Sequence, residues 1–119
     1  RIVRHQQHRF AAQQFGGVAL ARTLYEGGDL VLLDEPFSAL DARTRADMQD
    51  LAAELLRSKT VLLVTHDPTD AARLGHRIAV MTADGLTWSA PPTGPIPRPI
   101  DSAETQQSQA ALLKTLRAA

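Results

Sequence analysis

Leu30-Val31-Leu32-Leu33-Asp34-Glu35-Pro36 is the stretch whose reading decides the fold. Four consecutive aliphatic residues end in two adjacent carboxylates. An apolar run this short predicts a strand buried on both faces, as in a parallel sheet. The two acids then fall at the carboxyl edge of that sheet, where open α/β sheets place ligands. Asp34 is the rigidly held acid, suited to a metal. Glu35 lies where strand gives way to loop and can address a different atom. Metal-assisted phosphoryl transfer needs that division: one acid for Mg²⁺, one group to orient or deprotonate the attacking water. The bland alternative is a buried strand running into an acidic loop.

Working outward, Asp41 is a good N-cap for a helix reaching about Arg57. Met48, Leu51, Ala52 and Leu55 fall at i, i+3, i+4 and i+7 and predict one buried stripe. Arg43, Arg45, Asp47, Asp50, Glu54 and Arg57 read as its solvated side. Thr60-Val61-Leu62-Leu63-Val64 is a second apolar run, predicted as a second buried strand. If the two strands are parallel, His66 shares the sheet edge of Asp34 and Glu35. Asp67 caps a short helix, with Pro68 at its first position and Asp70 at its third, and Gly75 ends it. Arg77 to Met81 reads as a third strand. Asp84-Gly85 is a hairpin turn into Leu86-Thr87-Trp88.

Asp34 to Asp41 spells DEPFSALD, and Thr65-His66-Asp67 follows the second strand. Together these motifs resemble the ATP-binding subunit of ABC transporters, most of all the importers of small solutes. The resemblance implies an α/β fold, part of a P-loop NTPase domain. Its mostly parallel sheet would be flanked by helices and closed by a C-terminal hairpin with a Pro-rich tail. It implies Asp34 as the metal residue, with Glu35 and His66 catalytic. Ser38 and Asp41 would belong to the loop that contacts nucleotide across a dimer. ATP and Mg²⁺ are the implied cofactors. A second ATPase subunit and membrane permease subunits are the implied partners. The implied location is the cytoplasmic face of the inner or plasma membrane, held there through the permease.

Val18-Ala19-Leu20-Ala21-Arg22-Thr23-Leu24 reads as a helix with Leu20 and Leu24 on one face, stopped by Gly27 and Gly28. It resembles the helix after the ABC signature, LSGGQ. Counting back places that signature on Phe10 to Gln14, where only Gln14 matches, as a nucleotide-binding residue. Ala11, Ala12 and Gln13 stand where the family has serine and two glycines, whose open backbone lets phosphate approach. A shifted reading frame or a gene fragment would account for family text beginning at Val18. His5 and His8 are three residues apart, but a metal usually needs three or four protein ligands. A solvated basic segment is the simpler reading of residues 1 to 17.

These features give four parts: an atypical segment at 1–17, the carboxyl-terminal half of an ATPase domain at 18–88, a Pro-rich linker at 89–100, and a final helix at 101–119. Asp101 and Glu104 form a capping-box-like start to that helix, which carries Leu112, Leu113 and Leu116. The 119 residues hold no GxxxxGK[ST] phosphate loop. Two functions follow from the resemblance. One is an importer ATPase subunit coupling hydrolysis to uptake, represented by a chain inactive alone. The other is a non-catalytic relic of such a module.

Composition bounds this reading. The chain has room for one domain with a modest core. The formal net charge of zero gives no bulk attraction to nucleic acid. The absence of cysteine excludes disulfides and thiolate metal sites. No apolar run approaches the roughly 20 residues of a membrane-spanning helix.

Overall fold

The computed structural model describes residues 30–118 in full and the backbone of 14–15 and 18–19. The chain divides into two units, Arg1–Thr65 and His66–Ala119.

In the first unit, β3 (Leu30–Asp34) and β4 (Thr60–Val64) pair in parallel, Leu30 opposite Thr60 and Asp34 opposite Val64. They are joined through α1 (Ala42–Leu55), so the βαβ reading of this stretch stands. Burial departs from expectation. One face of β3 is well covered, where Val31 and Leu33 pack with Leu56 and Leu63, whereas on the other Leu30 is exposed and Leu32 half-buried. Along β4, Val61, Leu62 and Val64 are exposed, Leu62 at 57 %. An apolar run specifies a strand, but burial on both faces requires a layer on each side.

The face of α1 is also rotated from the predicted stripe. Gln49 and Ala52 are its buried residues, and Leu55 is exposed. Apolar periodicity finds the face that is hydrophobic, and here tertiary packing chose a neighbouring one. Earlier in the chain, β1 (Gln14–Phe15) pairs antiparallel with β2 (Val18–Ala19), Phe15 opposite Val18. Val18 and Ala19 are therefore strand, not the start of a helix. Gly-Gly between Phe15 and Val18 is itself a strong two-residue hairpin signal, which the helical reading overlooked. Leu20 to Leu24, and Phe10 to Gln13, lie outside the described residues.

In the second unit, α2 (Pro68–Leu74) is followed by the antiparallel hairpin β5 (Ile78–Thr82) and β6 (Gly85–Ser89). The turn is Ala83-Asp84, one residue earlier than expected, because Thr82 pairs with Gly85. Gly85 has φ 114, open to glycine and closed to other L-residues. The Thr82 hydroxyl holds the turn by donating to the Gly85 carbonyl (3.1 Å) and accepting from the Asp84 N–H (3.3 Å).

The last helix, α3 (Ala103–Ala118), docks on this unit. Its Leu112 is buried with Ile78 and Val80, and Leu116 and Ala71 pack against the cluster. Burying side chains of this size contributes about 1.5–3 kcal/mol each. The cap of α3 is Ser102, not Asp101: its hydroxyl oxygen accepts from the Thr105 N–H at 3.2 Å. Glu104 instead accepts from the Thr93 hydroxyl (2.6 Å). Residues 90–100 form neither helix nor strand, as their prolines require. They are nevertheless tied to α2 through Arg98, whose backbone N–H donates to the Arg73 carbonyl at 2.9 Å.

Among the described residues there are one parallel and two antiparallel strand pairs. The expectation of a mostly parallel sheet is corrected accordingly. The reason is local: each antiparallel pair joins strands two residues apart in the chain, whereas β3 and β4 are joined through α1, as parallel pairing needs.

Candidate functional site

Parallel pairing delivers Asp34 to the carboxyl end of β3, opposite Val64, where it is exposed. The ladder continues one bond further, because the Glu35 N–H donates to the Val64 carbonyl at 2.8 Å. Glu35 has φ 49, the left-handed region, and is half-buried. An L-residue other than glycine is strained there, at about 1–2 kcal/mol. Such strain persists only where the surroundings fix it, and it clusters at functional sites. It falls at the strand end, immediately after Asp34.

A tight turn follows. The Ser38 N–H donates to the Glu35 carbonyl (3.4 Å), and the Leu40 N–H donates to the Phe37 carbonyl (3.2 Å). Pro36 and Phe37 are buried, whereas Ser38 is exposed. The Phe37 carbonyl also accepts from Arg45 through both Nε (3.2 Å) and Nη2 (3.0 Å). This fork fixes the loop to the first turns of α1. The charge of Arg45 alone predicts the solvated side of the helix, but its bonds turn it toward the loop. One helical turn further on lies the buried Gln49, so both belong to the face that meets the protein. A polar residue at i+4 from an arginine is too weak a signal to have revealed this.

Asp41 occupies the N-cap of α1 with extended backbone, and its carboxylate accepts from the Thr44 N–H at 2.9 Å. That backbone bond, then the bond to the Thr44 side chain, holds its pKa below the ordinary carboxylate value. Asp34, Glu35, Ser38 and Asp41 thus lie along one short stretch of one unit, between the end of β3 and the start of α1. Gln14 sits in β1 opposite Ala19, and its side chain is outside the described residues.

His66 belongs to the second unit and is exposed. The next residue, Asp67, caps α2 by accepting from the Thr69 N–H at 2.9 Å, with Pro68 at the first helical position. At the far end, Gly75 closes α2 for a spatial reason: a Cβ there would meet Ile78 Cγ1 at 2.8 Å and the Ala71 carbonyl oxygen at 2.9 Å.

No group of three or more His, Cys, Asp or Glu converges on a metal position among the described residues. One carboxylate at a strand end nevertheless fits Mg²⁺, which keeps several waters and takes its other ligands from phosphate. No described helix is long and apolar enough to cross a membrane.

No protein-family model matches the chain. It is 48% identical over 118 residues to an uncharacterized ABC transporter ATP-binding protein of Haemophilus influenzae, covering 92% of this chain and 49% of that protein. It is 44% identical over 96 residues to the Fe(3+) ions import ATP-binding protein FbpC of Yersinia pestis, covering 79% of this chain and 28% of FbpC. It is also 44% identical over 87 residues to the thiamine import ATP-binding protein ThiQ of Cereibacter sphaeroides, covering 71% of this chain and 37% of ThiQ. The chain therefore spans about half the length of the first of these relatives and less of the other two.

Proposed function

Because the homologues of this chain are ABC transporter ATP-binding proteins, importer subunits among them, we propose that it contributes the hydrolytic part of an importer ATPase subunit. ATP and Mg²⁺ are its cofactors. A second ATPase subunit completes the site, and permease subunits hold it at the cytoplasmic face of the membrane. The observation that carries the reading is the end of β3. There an exposed carboxylate is followed by a strained one, anchored to the neighbouring parallel strand by the Glu35–Val64 bond.

In this reading Asp34 holds Mg²⁺, which when bound neutralises charge developing on the phosphates. Glu35 orients the attacking water and accepts its proton. His66 contacts the γ-phosphate from the start of α2. Ser38, on the turn braced by Arg45, and Asp41 face nucleotide across the dimer, and Gln14 is the signature residue that binds it. In these 119 residues the phosphate loop is lacking, and Ala12 and Gln13 replace the open signature backbone. By themselves they bind MgATP weakly and do not turn it over.

The test begins with the coding DNA upstream of Arg1. A phosphate loop there supports the importer subunit, and unrelated sequence or a stop codon favours the relic. In a polypeptide carrying the loop, Glu35→Gln should keep MgATP binding and lose phosphate release. Hydrolysis at the parent rate overturns the role of Glu35. Calorimetric titration showing micromolar MgATP affinity for the 119 residues alone overturns the dependence on a phosphate loop.

A further inference from the structure

Arg98 lies in a Pro-rich stretch that reads as a tether, yet only 4 % of its surface is exposed. Its Nη1 donates to the carbonyls of Ala72 (3.1 Å) and Gly75 (2.7 Å), at the C-terminal end of α2. Its backbone N–H donates to the Arg73 carbonyl (2.9 Å), and its own carbonyl accepts from Arg73 Nε (2.8 Å). One residue thus satisfies three carbonyls at the end of a helix it does not belong to. The arrangement also places a cation where the helix dipole is negative. Burial pushes the pKa of the guanidinium down, and its Nε has no partner. A mere tether has no need of a buried arginine with an unmet donor.

α2 has seven residues, too few to be stable or positioned on its own. Its placement comes from what packs on it, including α3, the Ile78–Val80 cluster that Ala71 meets, and the Arg98 bonds. The other end of this short rod is Asp67, with His66 immediately before it. A shift at the C-terminal end of so short a helix moves the N-terminal end with it.

We propose that Arg98 is a positioning residue for His66, acting through α2, so that the Pro-rich segment sets where the histidine stands. The consequence for hydrolysis rests on His66 contacting the γ-phosphate; the mechanical link does not.

The test uses the 119-residue chain, isotopically labelled, with the series Arg98→Lys, Arg98→Gln and Arg98→Met. The readouts are the His66 ring resonance and amide exchange along the second unit. Displacement of the His66 signal should grow in that order, with lysine the closest to parent. Exchange at Ala71 to Leu74 should accelerate by about tenfold or more, while the Val80 and Leu112 amides keep their protection. If Arg98→Met does not fold, the first two variants decide. Faster α2 exchange with an unmoved His66 signal would make Arg98 merely structural and overturn the proposal, as would acceleration spread evenly over the unit. Without nucleotide present, this measurement fails only if the link is absent. The phosphate contact is read separately, by hydrolysis in a loop-containing polypeptide bearing His66→Ala.

Discussion

Replacing Glu35 with glycine should make the chain more stable than replacing it with alanine. The reason is the φ of 49 at this position. Both substitutions remove the carboxylate and whatever it holds, so their difference isolates the backbone. Alanine keeps the left-handed strain, about 1–2 kcal/mol, and glycine does not. The greater freedom of glycine in the unfolded chain takes back about 0.4–1 kcal/mol. At the middle of both ranges, Glu35→Gly should therefore exceed Glu35→Ala by about 0.8 kcal/mol. With a urea slope of about 2 kcal/mol per molar, the midpoint rises by roughly 0.4 M. The assay is equilibrium unfolding in urea, with exchange of the β3 amides reporting the unit that contains Glu35. Equal midpoints, or a higher one for alanine, would show that the left-handed turn is not intrinsic to this strand end. On the proposed function both variants lose hydrolysis, because both lack the carboxylate.

Two further outcomes follow from the geometry. Gly75→Ala should destabilise the second unit by about 1–3 kcal/mol, because the added methyl meets the Ala71 carbonyl oxygen and Ile78 Cγ1 inside 3 Å; a thermal midpoint equal to the parent's would disprove the close approach. Asp41 has a lowered pKa when folded, so its capping contribution is present above the ordinary carboxylate value of about 4 and is lost as pH falls through the folded value. The Thr44 amide resonance should report that loss on acidification. Asp41→Asn, a neutral cap, should flatten the response, and an unchanged pH profile in that variant would assign it to another group.

The elements of this protein were largely written in local chemistry. β3, α1, β4 and α2 follow from apolar runs, from Asp41 and Asp67 as caps, and from Pro68 at a helix start. Each of these acts within a few residues, so the sequence determined them by itself. The string DEPFSALD, with His66 after the second strand, likewise determined the resemblance to ABC ATP-binding proteins. What only tertiary structure decided depends on groups distant in the chain. The exposure of Val61 and Leu62 was decided by which layers cover the pair. The inward turn of Arg45 was decided by the Phe37 carbonyl in the preceding loop. Ser102 displaced Asp101 as a cap because the two offer similar acceptors one residue apart, and the docking of α3 chose between them. Arg98 is the sharpest case. Among five prolines its sequence reads as tether, and only the open carbonyls of a helix some 25 residues earlier make it a buried, bonded residue.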